Sequence, residues 1–415
     1  MKILMLMQWF SPEPNFKGLA FAKELIRRGH EVQVLTGFPN YPGGKLYPGY
    51  RVRLVQYESI DGISIIRVPL YPSHDGSSIK RIVNYVSFAL SSALLAPLLT
   101  KRADIAYVFH SPGTIALPAM VLKLFRGLPF IYDINDLWPD SLAASNMLSN
   151  RFLLKGVDLW CDLTYRMANH IVVVAPGAKS KLVERGIPES KVDVIYNWCD
   201  EVQQVYERNE AVALDLGLSG RFNLIFAGTM GKVQGLDAVI DAAKIVHQQQ
   251  PRIQFVFIGG GVEADRLNGR VTIECIVNCL FLPRRPVSEI GEILAVADAV
   301  LVHLQDTPLF SITIPSKTAA YMAAARPLLM AVRGDAADLV KKANAGICCM
   351  PENPEEIAKA VLDLYAKPNI EREQLGLNGK QFYDREISLS VGAEKFERLF
   401  YNTICGIRSA EAKQP

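Results

Sequence analysis

The stretch Phe222-Asn-Leu-Ile-Phe-Ala-Gly-Thr-Met-Gly-Lys-Val-Gln-Gly-Leu236 changes character midway. Phe222–Ala227 is short and almost wholly apolar, the pattern of a strand buried on both faces. Gly228–Gly235 is rich in glycine, which lets a backbone turn tightly or approach a ligand closely. From Leu236 to Gln249 apolar residues recur at helical spacing. Phe255–Ile258 then reads as a second strand and runs into Gly259-Gly260-Gly261. Strand, loop, helix, strand is one β-α-β unit.

The N-terminus shows the same order. Ile3–Met7 predicts a strand, and Trp9–Gly18, with Pro12, Pro14 and Gly18, a loop. Leu19–Arg28 predicts a helix stopped by Gly29, and Glu31–Thr36 the next strand. Further apolar runs follow at Ile63–Val68, Ile105–Phe109, Phe130–Asp133, Ile171–Val174 and Val192–Ile195, then at Ala299–His303, Leu328–Val332 and Ile347–Met350. Helical stretches separate them. The fold class is α/β: two doubly wound, Rossmann-like parallel-sheet domains, expected to face each other across a ligand cleft. The expected first domain is 1–200 and the second 201–388, joined through the polar stretch Glu201–Asn209. The amphipathic tail, 389–415, is expected to pack back on the first domain.

Composition narrows the function. The chain has 415 residues, 50% of them apolar, which is ample for large cores and excludes a disordered tail. Forty-five Lys and Arg against 42 Asp and Glu leave +3, which argues against nucleic acid as the main partner. Seven cysteines, two of them adjacent (Cys348, Cys349), show no C-x-x-C pair and suggest a reducing compartment. The first apolar run is too short for a signal peptide, so a cytoplasmic enzyme is expected.

Ile82–Leu99 stands apart. It is almost uncharged and is flanked by Lys80-Arg81 and Lys101-Arg102. Three readings are open: a partly buried helix of the first domain, an interfacial helix lying on an anionic bilayer, or a membrane span. Asn84, Pro97 and nearby serines oppose the span, which would also divide one domain across the bilayer.

The ligand class is approached by elimination. G-x-G-x-x-G is absent after the first strand, and Walker A, D-x-D and H-x-x-x-H patterns are absent throughout. A metal-bound diphosphate is not signalled, so phosphate charge would fall to basic side chains and helix N-termini. Gly228–Lys232 offers both a glycine turn and a cation. Ile314-Pro315-Ser316-Lys317 offers a helix start, with Pro315 or Ser316 opening the helix. A lysine in a first turn opposes the helix dipole and is easier to understand beside a bound anion.

These motifs, with Pro12-Glu13-Pro14, Gly18, Arg28-Gly29-His30-Glu31, the loop Leu35–Gly44, Asp136-Leu137-Trp138-Pro139-Asp140, Ile195–Asp200 and Tyr321-Met322-Ala323, resemble family 4 retaining glycosyltransferases of the GT-B fold. The resemblance spans nearly the whole chain and looks closest to bacterial O-antigen L-fucosamine transferases. It implies a UDP-sugar donor, a polyprenyl-diphosphate-linked acceptor, no metal or other cofactor, and a peripheral place on the inner face of the cytoplasmic membrane. On the donor side it implies Gly228, Thr229 and Gln234 at the diphosphate, Gly259 and Gly260 making room for the nucleotide, Arg284 and Arg285 bordering uracil, and Thr313, Ile314, Pro315 and Ser316 cradling phosphate. Lys232, Lys317 and His110 are the expected catalytic groups. Gly18, Asp136 and Trp138 are expected on the acceptor side.

Two departures stand out. The family carries two glutamates where this sequence has Ile312 and Ala320, and basic residues where it has Thr229 and Gln234. Lys232 and Lys317 are the expected substitutes for the lost positive charge. The same fold also hosts UDP-sugar epimerases, and loss of both glutamates fits a non-catalytic UDP-sugar-binding subunit as well.

Overall fold

The computed structural model describes residues 1–73, 78–144, 148, 150–199 and 207–411. The chain divides into two compact units, Met1–Tyr196 with Gly392–Pro415, and Asn197–Val391. The expected joint after Asp200 begins in residues 200–206, outside the described residues.

The first unit is an eight-stranded sheet: β1 (Lys2–Leu6), β2 (Glu31–Gly37), β3 (Gln56–Ile60), β4 (Ile63–Val68), β5 (Ile105–His110), β6 (Phe130–Ile134), β7 (His170–Val173) and β8 (Val192–Val194), in the order β3-β4-β2-β1-β5-β6-β7-β8. β5 and β6 are buried at every residue, which is why they read as continuous apolar runs. The chain steps outward from β1 to β2 and β4, then returns to place β5 on the other side of β1. That reversal is the switch point at which such sheets leave a crevice outside their carboxyl ends.

Two features of the first unit differ from the sequence expectation. β3 was not anticipated, and it pairs antiparallel with β4 through a tight Asp61-Gly62 turn. Its polar, half-exposed edge position gives it no continuous apolar run. His110 is the last residue of β5 rather than the first residue after it.

The second unit is an all-parallel six-stranded sheet: β9 (Phe222–Thr229), β10 (Ile253–Gly260), β11 (Cys279–Leu282), β12 (Ala299–His303), β13 (Leu328–Ala331) and β14 (Gly346–Cys348), ordered β11-β10-β9-β12-β13-β14. Its switch point lies between β9 and β12. β11, a short edge strand only half-buried along its length, was also unanticipated. Phe226, Phe257, Leu301 and Val361 belong to the core beneath the sheet.

The C-terminal helix, Leu389–Glu411, docks on the first unit. Phe396 lies 5.3 Å from both the Phe21 and Tyr107 rings, and Glu397 accepts hydrogen bonds from Arg28 (3.2 Å) and pairs with His30 (2.8 Å).

The helix Ser78–Leu99 is long and apolar enough, by length and composition, to cross a membrane. One face is nevertheless built into the first unit. Buried Asn84 accepts from Gln8 (2.5 Å) and donates to the Tyr71 carbonyl (2.6 Å) and to Asn40 (3.3 Å). A membrane span would have to break these bonds. The other face leaves Val83, Val86, Leu90, Leu94 and Leu98 exposed.

Candidate functional site

The second unit gathers its candidate residues at the β9/β12 switch point. Gly259 stands opposite Gly228, and Gly260 opposite Thr229, in the β9–β10 register. Gly228 and Gly259 both have φ +140, and a Cβ on Gly259 would lie 2.1 Å from the Gly228 carbonyl oxygen. Only glycine lets these two strand ends close together. Beyond them, a short turn over Lys232–Gln234 leads to Gly235, at φ 55, and the helix Leu236–Gln249.

Three contacts hold this loop. The Gln234 side chain accepts from the Gly231 amide at 2.8 Å. His303, at the end of β12, approaches the Gln234 carbonyl with Nδ1 at 2.6 Å and accepts from the Glu352 amide at Nε2, 3.0 Å. The accepting Nε2 fixes the neutral tautomer, with Nδ1 donating to Gln234. Burial, acting against the Gln234 carbonyl, lowers the imidazole pKa and keeps it neutral. Met230 donates to Gly260 (2.8 Å), tying the loop to β10.

The helix Ser316–Ala323 approaches from the other side, with Pro315 at its N-cap. Tyr321 couples it to β9, its hydroxyl accepting from the Ala227 amide (2.8 Å) and donating to the Ala227 carbonyl (3.2 Å). Lys317 therefore reaches the mouth of β9. Its ammonium lies 3.4 Å from the Phe226 ring centroid and would lie 3.3 Å from a Cβ on Gly228. It has no hydrogen-bond partner among the described residues. Burial pushes it down to about 7. A buried cation without an anion, beside a glycine mouth and a helix start whose Thr318 amide already bonds the Pro315 carbonyl (2.9 Å), has the chemistry to take an anionic group such as phosphate.

The remaining donor-side candidates are less converged. Lys232 and Thr229 are exposed at the loop. Thr313 donates through its hydroxyl to the Leu309 carbonyl (2.8 Å), and Ile314 and Pro315 lead into the helix. Arg284 is exposed, whereas Arg285 turns to Glu289 at 3.7 Å. Ile312 and Ala320 are half-buried, and no carboxylate takes their places.

In the first unit the candidates collect at the β1/β5 switch point. Gly18 caps the helix Leu19–Arg27 and donates to the Asn15 carbonyl at 3.0 Å. Before it, fully buried Lys17 pairs with Asp133 on β6 at 2.7 Å, and the Tyr107 hydroxyl donates to the same oxygen at 2.6 Å. His110 packs 5.5 Å from Trp138 and 5.3 Å from Tyr132, wholly buried. Burial holds it neutral, down to about 3. It can share a hydrogen bond but cannot serve as a cation. Asp136 is raised by desolvation although its side chain still meets solvent.

Sequence reasoning missed four participants. Phe226 reads as ordinary strand core, and Tyr321 as part of a helix. His303 reads as a core histidine. Glu13 reads as part of a Pro-Glu-Pro turn, yet its buried carboxylate accepts the amides of Phe10 (3.2 Å), Asn40 (2.7 Å) and Tyr41 (2.8 Å). Burial outweighs those bonds and raises it to about 7. The lone acidic residue of the loop Trp9–Gly18, set between two prolines, was the sequence hint of this clamp.

Two α/β units, each a largely parallel sheet with a crevice at its switch point, fit the GT-B fold. Residues 19–198 match the family described as glycosyl transferase 4-like domain, and residues 216–382 match glycosyl transferases group 1. The chain belongs to this glycosyltransferase family. It is 22% identical over 296 residues to a probable glycosyltransferase, WbjE, of Pseudomonas aeruginosa, covering 69% of this chain and 73% of that protein. It is 25% identical over 343 residues to WcaI of Escherichia coli K12, a putative colanic acid biosynthesis glycosyl transferase, covering 76% and 80%. Among solved structures, HepE of Anabaena in complex with UDP-glucose superposes with a TM-score of 0.70 at 16% identity, covering 97% of this chain and 100% of that one.

Proposed function

We propose that this glycosyltransferase moves a sugar, N-acetyl-L-fucosamine, from its UDP conjugate to a lipid-linked saccharide in surface-polysaccharide synthesis, with retention at the anomeric carbon. The observation that carries the reading is the buried, unpartnered Lys317 ammonium beside Gly228. HepE, whose fold this chain shares, binds UDP-glucose. WcaI, a putative colanic acid biosynthesis glycosyl transferase, supports a role in surface-sugar assembly, and the L-fucosamine choice follows the sequence resemblance.

The hard step is departure of UDP, because negative charge grows on the diphosphate as the glycosidic bond breaks. Lys317 and the first-turn amides at Ser316 and Lys317 are preorganised to stabilise that charge, and Lys232, exposed on the loop, adds a second cation. The acceptor hydroxyl attacks from the face that UDP leaves, and a diphosphate oxygen takes its proton. No acid–base carboxylate pair is needed on this route, which accommodates Ile312 and Ala320. His110, Asp136 and Trp138 position the acceptor, and the first unit works at the inner membrane surface, where Ser78–Leu99 offers an apolar face between basic ends.

The test is UDP release from UDP-N-acetyl-L-fucosamine by the full chain with a lipid-linked acceptor, in the presence and absence of EDTA. Acceptor-dependent release insensitive to EDTA is expected. Tight UDP binding without release on any acceptor would favour the binding-subunit reading that Ile312 and Ala320 suggest, and sugar isomerisation without acceptor would favour an epimerase.

A further inference from the structure

Part of the exposed face of the helix Ser78–Leu99, at Val86 and Leu90, borders a second helix. With the helix Arg151–Met167 it encloses a furrow of about 470 Å³. Val86 and Leu90 form one wall, Phe152 and Leu153 the other, and Trp138 and Trp160 lie along it. Leu90 is 53% and Phe152 72% exposed, so large apolar surface is left uncovered where burial would be favourable. Among the described residues that line it, Thr114 is the single polar side chain apart from the Tyr and Trp rings.

The furrow is tied to the acceptor side at one end. Trp138 lines it and also packs on His110. Tyr85 lines it, feels both the Arg81 guanidinium and the Asp136 carboxylate, and stacks edge-on to Trp9 at 6.2 Å. The rim is cationic. Arg81 Nε is buried without a hydrogen-bond partner among the described residues, and Arg151 and Lys155 stand exposed beside Phe152. Of the nearby acids, Asp158 and Asp162 pair with Arg185 (2.5 and 2.8 Å) and Asp140 with Lys181 (2.8 Å), while Asp136 stands at the sugar end.

We infer that this furrow seats the apolar chain of the acceptor lipid, with the lipid's anionic diphosphate on Arg81 and its saccharide toward Asp136 and Trp138. An apolar slot continuous with a cationic rim and a sugar-side aromatic cluster matches a single chain carrying an anionic head. A flat bilayer contact needs no such slot. The inference rests on the lipid-linked acceptor proposed above.

Trp138 and Trp160 supply the readout. The full chain is titrated with isopentenyl diphosphate and with geranylgeranyl diphosphate below its critical micelle concentration, following tryptophan fluorescence. The longer chain is expected to bind at least ~100-fold more tightly, because it alone fills the slot. Leu90→Glu, at an exposed position, is expected to remove most of that preference. Arg81→Ala is expected to weaken both diphosphates alike, by roughly 10-fold. Equal affinity for both diphosphates, or a preference untouched by Leu90→Glu, overturns the inference. So does binding to phosphatidylglycerol vesicles with no chain-length preference, which would make the surface a bilayer contact. Far-ultraviolet dichroism and a thermal melt of Leu90→Glu that match the wild-type chain report that the first unit, which carries the change, is folded. Failure of the wild-type chain to bind UDP would count against the proposed transferase reading, while the chain-length comparison would still judge the furrow.

Discussion

The Lys317 ammonium sits 3.4 Å from the centroid of the Phe226 ring, buried and without a hydrogen-bond acceptor among the described residues. The ring face offers a weak partner to a cation, far short of what water gives. The free protein therefore holds a destabilised charge where an anionic substrate is expected to arrive. Lys317→Met should weaken UDP binding by roughly 10- to 150-fold, the worth of one charge-assisted contact. The same change should raise the melting temperature of the UDP-free chain by at least ~3 °C, since it removes the burden of a buried charge. Calorimetry and thermal melting measure the two effects, and a variant that loses affinity and stability together would show Lys317 to be a structural residue.

Gly259 is sterically pinned. A methyl group there would meet the Gly228 carbonyl oxygen at 2.1 Å, at a backbone φ of +140. The obstacle is backbone and cannot swing away. Gly259→Ala should cost about 2–4 kcal/mol and splay the ends of β9 and β10. Urea denaturation would show the loss. By contrast, Gly260→Ala meets nothing within 4 Å and should be well tolerated.

His303 joins the Gln234 carbonyl to the Glu352 amide through its two ring nitrogens. His303→Ala removes both of these part-buried hydrogen bonds, at a cost of about 1–3 kcal/mol for the two, and loosens the loop before Gly235. Its UDP affinity should fall while the far-ultraviolet dichroism stays native. Because His303 is neutral in the folded chain, this loss should not vary with pH around neutrality.

Much of this layout was legible beforehand because buried parallel strands advertise themselves. β4 (Ile63–Val68), β12 (Ala299–His303) and the helix Leu236–Gln249 fall at the residues the apolar pattern predicts. β3 escaped because an edge strand facing solvent needs no apolar run, and β11, though apolar, because it is only four residues long and stops at Pro283. Lys317 was visible as a cation at an unfavourable helix end. Its burial was not, because Phe226 lies 91 positions earlier in the chain and only the β9 register brings the two together. The Glu13 clamp and the furrow are likewise products of long-range packing.

The Lys17–Asp133 pair, 2.7 Å apart and wholly buried, fixes the loop after β1 onto β6. Removing one partner leaves the other charge stranded, so Lys17→Met or Asp133→Asn should each cost about 3–5 kcal/mol. The double replacement should cost clearly less than the sum, because the stranded charge has gone. A double-mutant cycle by urea denaturation measures the coupling, and simple additivity would show that the pair does not anchor the loop.

Protonation of Lys317 gives the donor site a pH signature. With its ammonium held down to about 7, the free protein is protonated there below pH 7 and largely neutral above it. A bound diphosphate favours the charged form and raises the pKa, so between those two values the complex carries more protons than its components. Binding must then take up protons, and affinity must fall as pH rises through that window. UDP itself is fully ionised above pH ~7.5, so it adds no titration of its own there. Calorimetry at alkaline pH, in two buffers of different ionisation enthalpy, should detect uptake approaching one proton per UDP. Lys317→Arg, which stays charged, should flatten the profile and keep much of the affinity. A wild-type profile already flat, with no proton uptake, would place the diphosphate away from Lys317.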